Sequence, residues 1–555
     1  MKIRFLQISI LILLMGIYFL AFLSTFSKKG TFYMDEPAVV MSSLSKNRSI
    51  YSIFKDAAGI AQPPLEHLIR EKIYQPIGDN LGLSKTYPEF FHRFLSLLWW
   101  LLPIGYFSIN IKNFSNKKRF IVLLSFLLII SSEFFRSYLT EARHYSAIAA
   151  SFATMIIVLL SDNVLIYKLR YHFLLLSLIP PLLHIISFPY YLILVFYFFY
   201  RFAVESYKKQ KKYFFDMVTL FSLYIIFSIW MYLQITNLSS QWQQPSINNI
   251  NLIYINSRLK WTLDWLFSGT IFYLLFKLIP NIIKSHLVQF FGIITLYYFV
   301  NIRQLFIIKK NIFEVSSTFL LITCCIWPLT IALVTYRSGM FSGERYSIAI
   351  LVIIFFGLST FIINVIYKIN NLGAKQTSLI IIGLTTIFSI LINILPIENF
   401  SLMSDENKFV KENINIIINP DSYLISDNGS YSTSISLLSI INKVPFNTNY
   451  IMCRWGTFYS DDGKNNINDW LSNHSNNNIY LLTTGNALTD NNEIIWKSGN
   501  ETLYLIKSIN ESDLCSKNDY LQVSKCYIRC TKGLEPSSDR RSILGVIPHL
   551  DIYRE

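Results

Sequence analysis

Two adjacent carboxylates, Asp35 and Glu36 in YMDEP (33–37), stand a few residues beyond an apolar run that ends at Phe26. Two later clusters each combine an acid, an arginine and a tyrosine: Glu141, Arg143 and Tyr145 in TEARHY (140–145), and Glu344, Arg345 and Tyr346 in SGERY (342–346). A carboxylate held beside a bilayer can take a proton from a hydroxyl, and an arginine fork can hold an anion. Each cluster also has a plain structural reading. Loop acids are commonly solvated, and an arginine near an acid pairs with it or snorkels to the interface. Their combined weight depends on whether the surrounding elements carry all three to one side of a membrane.

The composition sets that frame. Of 555 residues 52% are hydrophobic, 16% aromatic and only 15% charged, with a mean hydropathy of +0.40. An ordinary soluble chain is about 25% charged, so this is the composition of a polytopic membrane protein. The net charge of +15 is dispersed between apolar runs rather than gathered on a compact basic domain, which argues against nucleic acid as a partner. Apolar runs long enough for a bilayer fall near residues 5–26, 90–110, 119–137, 143–160, 171–187, 189–204, 213–233, 286–308, 312–336, 346–367 and 377–396, about eleven helices. Counted this way, the cations Lys2, Arg4, Lys112, Lys117, Lys118, Arg119, Lys168, Arg170, the 208–212 run, Lys309, Lys310, Lys368 and Lys375 share one side. That is the positive-inside pattern of a multi-pass protein of the cytoplasmic (inner) membrane, and it leaves the three acid-bearing clusters outside. The first apolar segment is too long for a signal peptide core and reads as a retained helix. Residues 265–286, interrupted by Gly269, Lys277, Pro280 and Lys284, read as interfacial or re-entrant.

The chain divides into a transmembrane part, 1–396, with long outer loops at 27–89 and 234–285, and a polar, Asn-rich part, 397–555. Within the second loop, residues 251–267 have the spacing of a helix lying on the membrane surface. The strand-like runs SYLIS, NIYLLTT and ETLYLIK predict a small extracytoplasmic α/β domain ending in a loose tail. Cys453, Cys515, Cys526 and Cys530 lie in it, where an oxidising compartment would permit disulfides in any of three pairings. No Cys-x-x-Cys or histidine pattern favours zinc, and Cys324 and Cys325 fit packing roles in an apolar span.

The order DE, AQPPLEHLI (61–69), HRFLSLL (92–98), TEARHYSAI (140–148) and GERY (343–346) resembles the polytopic GT-C glycosyltransferases. The nearest branch is the bacterial one that includes lipid A aminoarabinose transferases and relatives of protein O-mannosyltransferases. The resemblance covers roughly the first two-thirds of the chain, with the DE placement and the 141–145 block its most specific parts. It implies a polyprenyl-phosphate-linked sugar donor held among membrane lipids and a lipid, polysaccharide or protein acceptor. By motif position, Asp35 is expected as general base with Glu36 as a second acid, one of the two being structural. Arg345, Arg143, Lys85 and Arg93 are the expected donor-phosphate contacts, with Lys55, Arg70 and Lys72 as unranked further cations. Glu141, Tyr145, Tyr346, His184 and Gln62 would line the pocket, although a lone histidine such as His184 is more often a packing residue. Where relatives commonly have HPPLYY this chain has QPPLEH, with Gln62, Glu66 and His67 about the prolines, which bears on sugar or acceptor identity. The acids are adjacent rather than spaced, so no cofactor is required and a divalent cation is the less favoured alternative. The rival classes are a glycolipid transporter or flippase and an inactive glycan-binding relative. A transporter is expected to carry related halves and ionisable residues deep in its spans, and the polar clusters here gather at one face instead.

Overall fold

The computed structural model describes residues 2–29, 65–161, 252–278, 347–395 and 401–413 continuously, together with isolated positions between them and the strand segments given below. Its helices are α1 (Lys2–Lys29), α2 (Pro88–Leu98), α3 (Leu101–Ile109), α4 (Asn116–Ser131), α5 (Glu133–Leu139), α6 (Tyr145–Leu160), α7 (Leu252–Phe267), α8 (Ile348–Tyr367), α9 (Leu372–Ile394) and α10 (Asp405–Glu412), with shorter turns between. Among the described residues three are long and apolar enough to cross a bilayer: α8, α9 and the Phe5–Lys29 part of α1. They make the chain a membrane protein. The spans expected at 189–204, 213–233, 286–308 and 312–336, and most of 171–187, fall outside the described residues.

The chain forms two compact units. The first comprises Met1–Thr25, Ile50–Glu66 and Phe94–Glu398; the second comprises Phe26–Ser49, His67–Arg93 and Asn399–Glu555. This division differs from a simple boundary at residue 396, because most of the first outer loop groups with the C-terminal part.

In the first unit the apolar helix α6 is buried on nearly every side, as a helix hydrophobic all round must be. At about 24 Å it is shorter than a hydrocarbon core of about 30 Å. Helix α8 packs against α4 and α6, and α9 against α4. Helix α9 keeps Ile380, Leu384, Phe388 and Leu391 exposed along one side, a stripe suited to lipid. An aromatic core joins α1 to the others. Tyr18 lies 4.8 Å from the Trp100 ring and donates its hydroxyl to the Phe126 carbonyl at 3.1 Å, while Phe135 stands 4.9 Å from Trp100.

Two expected spans prove to be broken. The run 90–110 forms α2 and α3, with a break at Trp99 and Trp100. The run 119–137 forms α4 and α5, bent by 79°. Ser132 is extended at the bend and caps α5, its hydroxyl accepting from the Phe135 N–H at 3.4 Å and donating to the Leu266 carbonyl at 2.7 Å. The Arg136 guanidinium covers the last carbonyls of α4, donating to Ile130 at 3.2 Å and Ser131 at 2.5 Å. Ser268, just beyond α7, accepts from the Glu133 N–H at 3.0 Å and donates to its carboxylate at 2.5 Å. The freed backbone groups are thus satisfied by protein, the condition for broken helices in an apolar medium.

Helix α7 forms where a surface helix was expected, and buries Asn256, Leu259, Leu263 and Leu266 along one face while Trp261 stays exposed. It ends at Gly269, whose φ of +79° is left-handed and whose carbonyl accepts from Ser389 of α9 at 2.7 Å. A Cβ on Gly269 would stand 2.5 Å from the Ser131 carbonyl oxygen. Gly269→Ala is therefore expected to destabilise the chain by about 1–3 kcal/mol, read as a lower Tm of the purified protein.

The second unit contains a seven-stranded mixed sheet of β1 (Ser422–Ser426), β2 (Ile451–Gly456), β3 (Asn465–Asn466), β4 (Asn478–Thr484), β5 (Glu493–Ser498), β6 (Glu501–Leu505) and β7 (Tyr527–Lys532). The order is β3-β7-β2-β1-β4-β6-β5. Central β1 pairs in parallel with β2 and β4, and the outer strands add antiparallel. SYLIS and NIYLLTT are β1 and β4, and ETLYLIK supplies β6 over Glu501–Leu505. Ser404 caps α10 by accepting from the Asn407 N–H at 3.0 Å. The helix buries Phe409 5.3 Å from the Trp496 ring, whose indole N–H donates to Glu412 at 2.7 Å.

Candidate functional site

Helix α2 inverts the usual amphipathic arrangement. Glu89, His92, Arg93 and Ser96, spaced i, i+3, i+4 and i+7, are all 0% exposed, whereas Phe90, Phe94 and Leu98 on the opposite side are half-buried. A polar stripe turned inward must be satisfied by partners brought from elsewhere.

Glu36 supplies the first. Its carboxylate accepts from Arg93 Nε at 3.0 Å and from a terminal guanidinium nitrogen at 2.7 Å, a bidentate pair between two buried side chains. The rings of Phe26 and Phe32 each lie 5.7 Å from the guanidinium carbon and keep the pair dry. Glu36 is thus the anchored member of the DE dipeptide. Asp35 lies outside the described residues. The expected role of Arg93 as an open phosphate contact is revised: two of its donors are engaged by Glu36 and it has no exposed surface.

Around this pair, Arg70 donates to the His92 carbonyl at 2.9 Å. Arg70 begins a π-helical turn, Arg70–Tyr74, that widens the backbone just before Pro76, whose missing N–H and ring would obstruct a regular α-helix. Tyr74 stacks on Phe91 at 4.2 Å and donates to its carbonyl at 2.7 Å, fixing this segment on α2. Lys72 pairs with Glu71 at 3.1 Å, and Lys85 is exposed.

Glu89 is the titratable group that the sequence did not single out. Its Oε1 accepts from the Ser404 hydroxyl at 2.5 Å, and among the described residues Oε2 has no hydrogen-bond partner. Burial, aided by the charge of Glu406, raises its carboxyl from an ordinary 4.5 to about 7, against the opposing effects of the Ser404 hydrogen bond and of Arg93. The group is protonated below that value and can exchange a proton near neutrality. A raised folded value means that the folded state holds its proton longer than the unfolded chain. The contribution of Glu89 to stability is therefore fully present at acidic pH and is lost as pH rises from about 4.5 through about 7. Glu89→Gln, which keeps an acceptor for Ser404, is expected to flatten that decline and to gain about 3 kcal/mol at pH 8, measured by unfolding across pH.

The 140–145 cluster is built separately, in the first unit. The Arg143 guanidinium lies 4.8 Å over the Tyr145 ring, and both are buried. Glu141 accepts at its backbone carbonyl from the Ser96 hydroxyl. Ser146, beside Tyr145, accepts from the Trp100 indole at 3.1 Å and donates to the Ser96 carbonyl at 2.6 Å, tying the start of α6 to α2. Glu66 and His67 are buried, with Glu66 accepting from the Trp99 indole at 3.1 Å. Lys55, Gln62, His184, Arg345 and Tyr346 lie outside the described residues. Among the described residues no group of three or more His, Cys, Asp or Glu side chains could hold a metal ion.

No protein-family model, curated protein or solved structure matches the chain.

Proposed function

We propose that the chain is a membrane glycosyltransferase that moves a sugar from a polyprenyl-phosphate donor to an acceptor hydroxyl at the outer face of the cytoplasmic membrane. The observation that supports this reading is the buried, bidentate Glu36–Arg93 pair, which anchors the second acid of the DE dipeptide. Asp35 takes the proton of the acceptor hydroxyl as its oxygen bonds to the anomeric carbon. The bond from that carbon to the phosphate oxygen breaks, and polyprenyl phosphate leaves with the electron pair. A single displacement of this kind inverts the anomeric configuration. Phosphate is already a good leaving group, so cations that hold its charge do more than a strong acid would. Arg345 and Arg143 are the cations assigned to that task, and Glu36 with Arg93 are positioning residues. The C-terminal part stands on the same outer side.

Mass spectrometry of envelope glycolipids and glycans from cells with and without the gene tests this reading. One glycan is expected to lose a single sugar in the deletion strain while its lipid-linked donor accumulates. An unchanged glycan profile, or an accumulated product trapped on the inner leaflet, contradicts it and points to a transporter.

A further inference from the structure

The sheet brings together two cysteines far apart in the chain. Cys453 of β2 and Cys530 of β7 are opposed partners in an antiparallel ladder. Opposed residues there have Cα atoms about 4.5–5.5 Å apart and share a face of the sheet, inside the roughly 4.4–6.8 Å that a disulfide spans. The pairing is regular from Ile451↔Lys532 to Gly456↔Tyr527, so the juxtaposition does not hang on a bulge.

The surroundings give such a bond a task. Strand β7 lies between β2 and β3, and β3 offers it only Asn465 and Asn466. Its attachment to the sheet therefore rests mainly on β2.

We infer that Cys453 and Cys530 form a structural disulfide that fastens β7 to β2. Two thiols lose two protons and two electrons to a disulfide-bearing oxidant of the extracytoplasmic compartment, which is reduced to its dithiol as the new S–S bond forms. Of the three pairings open to the four cysteines of this domain, only one contains Cys453 with Cys530, and it leaves Cys515 with Cys526. The inference rests on the domain facing an oxidising compartment and not on sugar transfer.

The test uses the full chain in its native cells, quenched in acid, alkylated with N-ethylmaleimide, purified without reductant and digested for mass spectrometry. A peptide pair joining Cys453 to Cys530, separated by reduction, is the expected result. Alkylation of both residues, or a link from either to Cys515 or Cys526, overturns the inference. In Cys453→Ser, Cys530 is expected to become alkylated; a Cys530 that stays blocked also overturns it. None of these readouts involves a glycan, so this inference and the proposed activity can fail separately.

Discussion

Arg93→Ala is expected to destabilise the protein by about 3–5 kcal/mol and to remove its activity. The magnitude follows from what remains behind. Glu36 and Arg93 are both without exposed surface, and deletion of the guanidinium leaves a buried carboxylate without its bidentate pair. An uncompensated buried charge is far more costly than the pair's net contribution, because the intact pair already offsets much of its own desolvation. A double variant separates the two effects. Glu36→Met with Arg93→Leu removes both charges and keeps most of the volume, so it should recover most of the lost stability. It should not recover activity, because the directional tie that fixes the residue beside Asp35 is still absent. Thermal unfolding and turnover, measured on both variants, check each half. Full activity in the stable double variant would show that the pair positions nothing.

The sequence made some of this legible, and the reasons differ from element to element. Helices α1, α8 and α9 are long uninterrupted apolar runs, and length alone identifies them. Strands β1 and β4 carry β-branched and aromatic residues that favour extended chain, bounded by polar residues. Strands β2 and β7 each carry an arginine at mid-strand that interrupts a short apolar run, and it is their mutual register that places them in the sheet. The break at Ser132 lies inside a run whose apolar pattern does not stop. It exists because Leu266, Ser268 and Arg136 satisfy the freed backbone groups, partners supplied by tertiary structure and by a helix more than a hundred residues away. The adjacency of Asp35 and Glu36 implied that one of them is structural, and it took the approach of Arg93 to show Glu36 in that part. Glu89 belongs to a pattern that is visible in the sequence: polar residues at i, i+3, i+4 and i+7 among apolar ones mark an inward polar stripe on a helix. Its raised pKa follows from burial, which depends on tertiary packing, while Ser404, a residue far along the chain, opposes the rise by donating to the carboxylate.

The largest effect on the reaction itself is expected from Asp35→Asn. The substitution changes one heavy atom in the side chain, leaves both members of the Glu36–Arg93 pair unaltered, and removes the proton-accepting capacity that the proposed mechanism assigns to Asp35. General-base catalysis contributes about 10²–10⁴-fold, so kcat should fall by that factor while Tm stays close to that of the unaltered protein. The most direct measurement is turnover of the purified full-length protein in lipid vesicles, with the polyprenyl-phosphate sugar whose product is missing from the deletion strain and the acceptor that accumulates there. Unaltered protein should release polyprenyl phosphate and form an inverted glycosidic bond, and Asp35→Asn should do so at least about a hundredfold more slowly. Near-normal turnover by a well-folded Asp35→Asn, or no transfer by the unaltered protein from that donor, contradicts the assignment of Asp35 as the base.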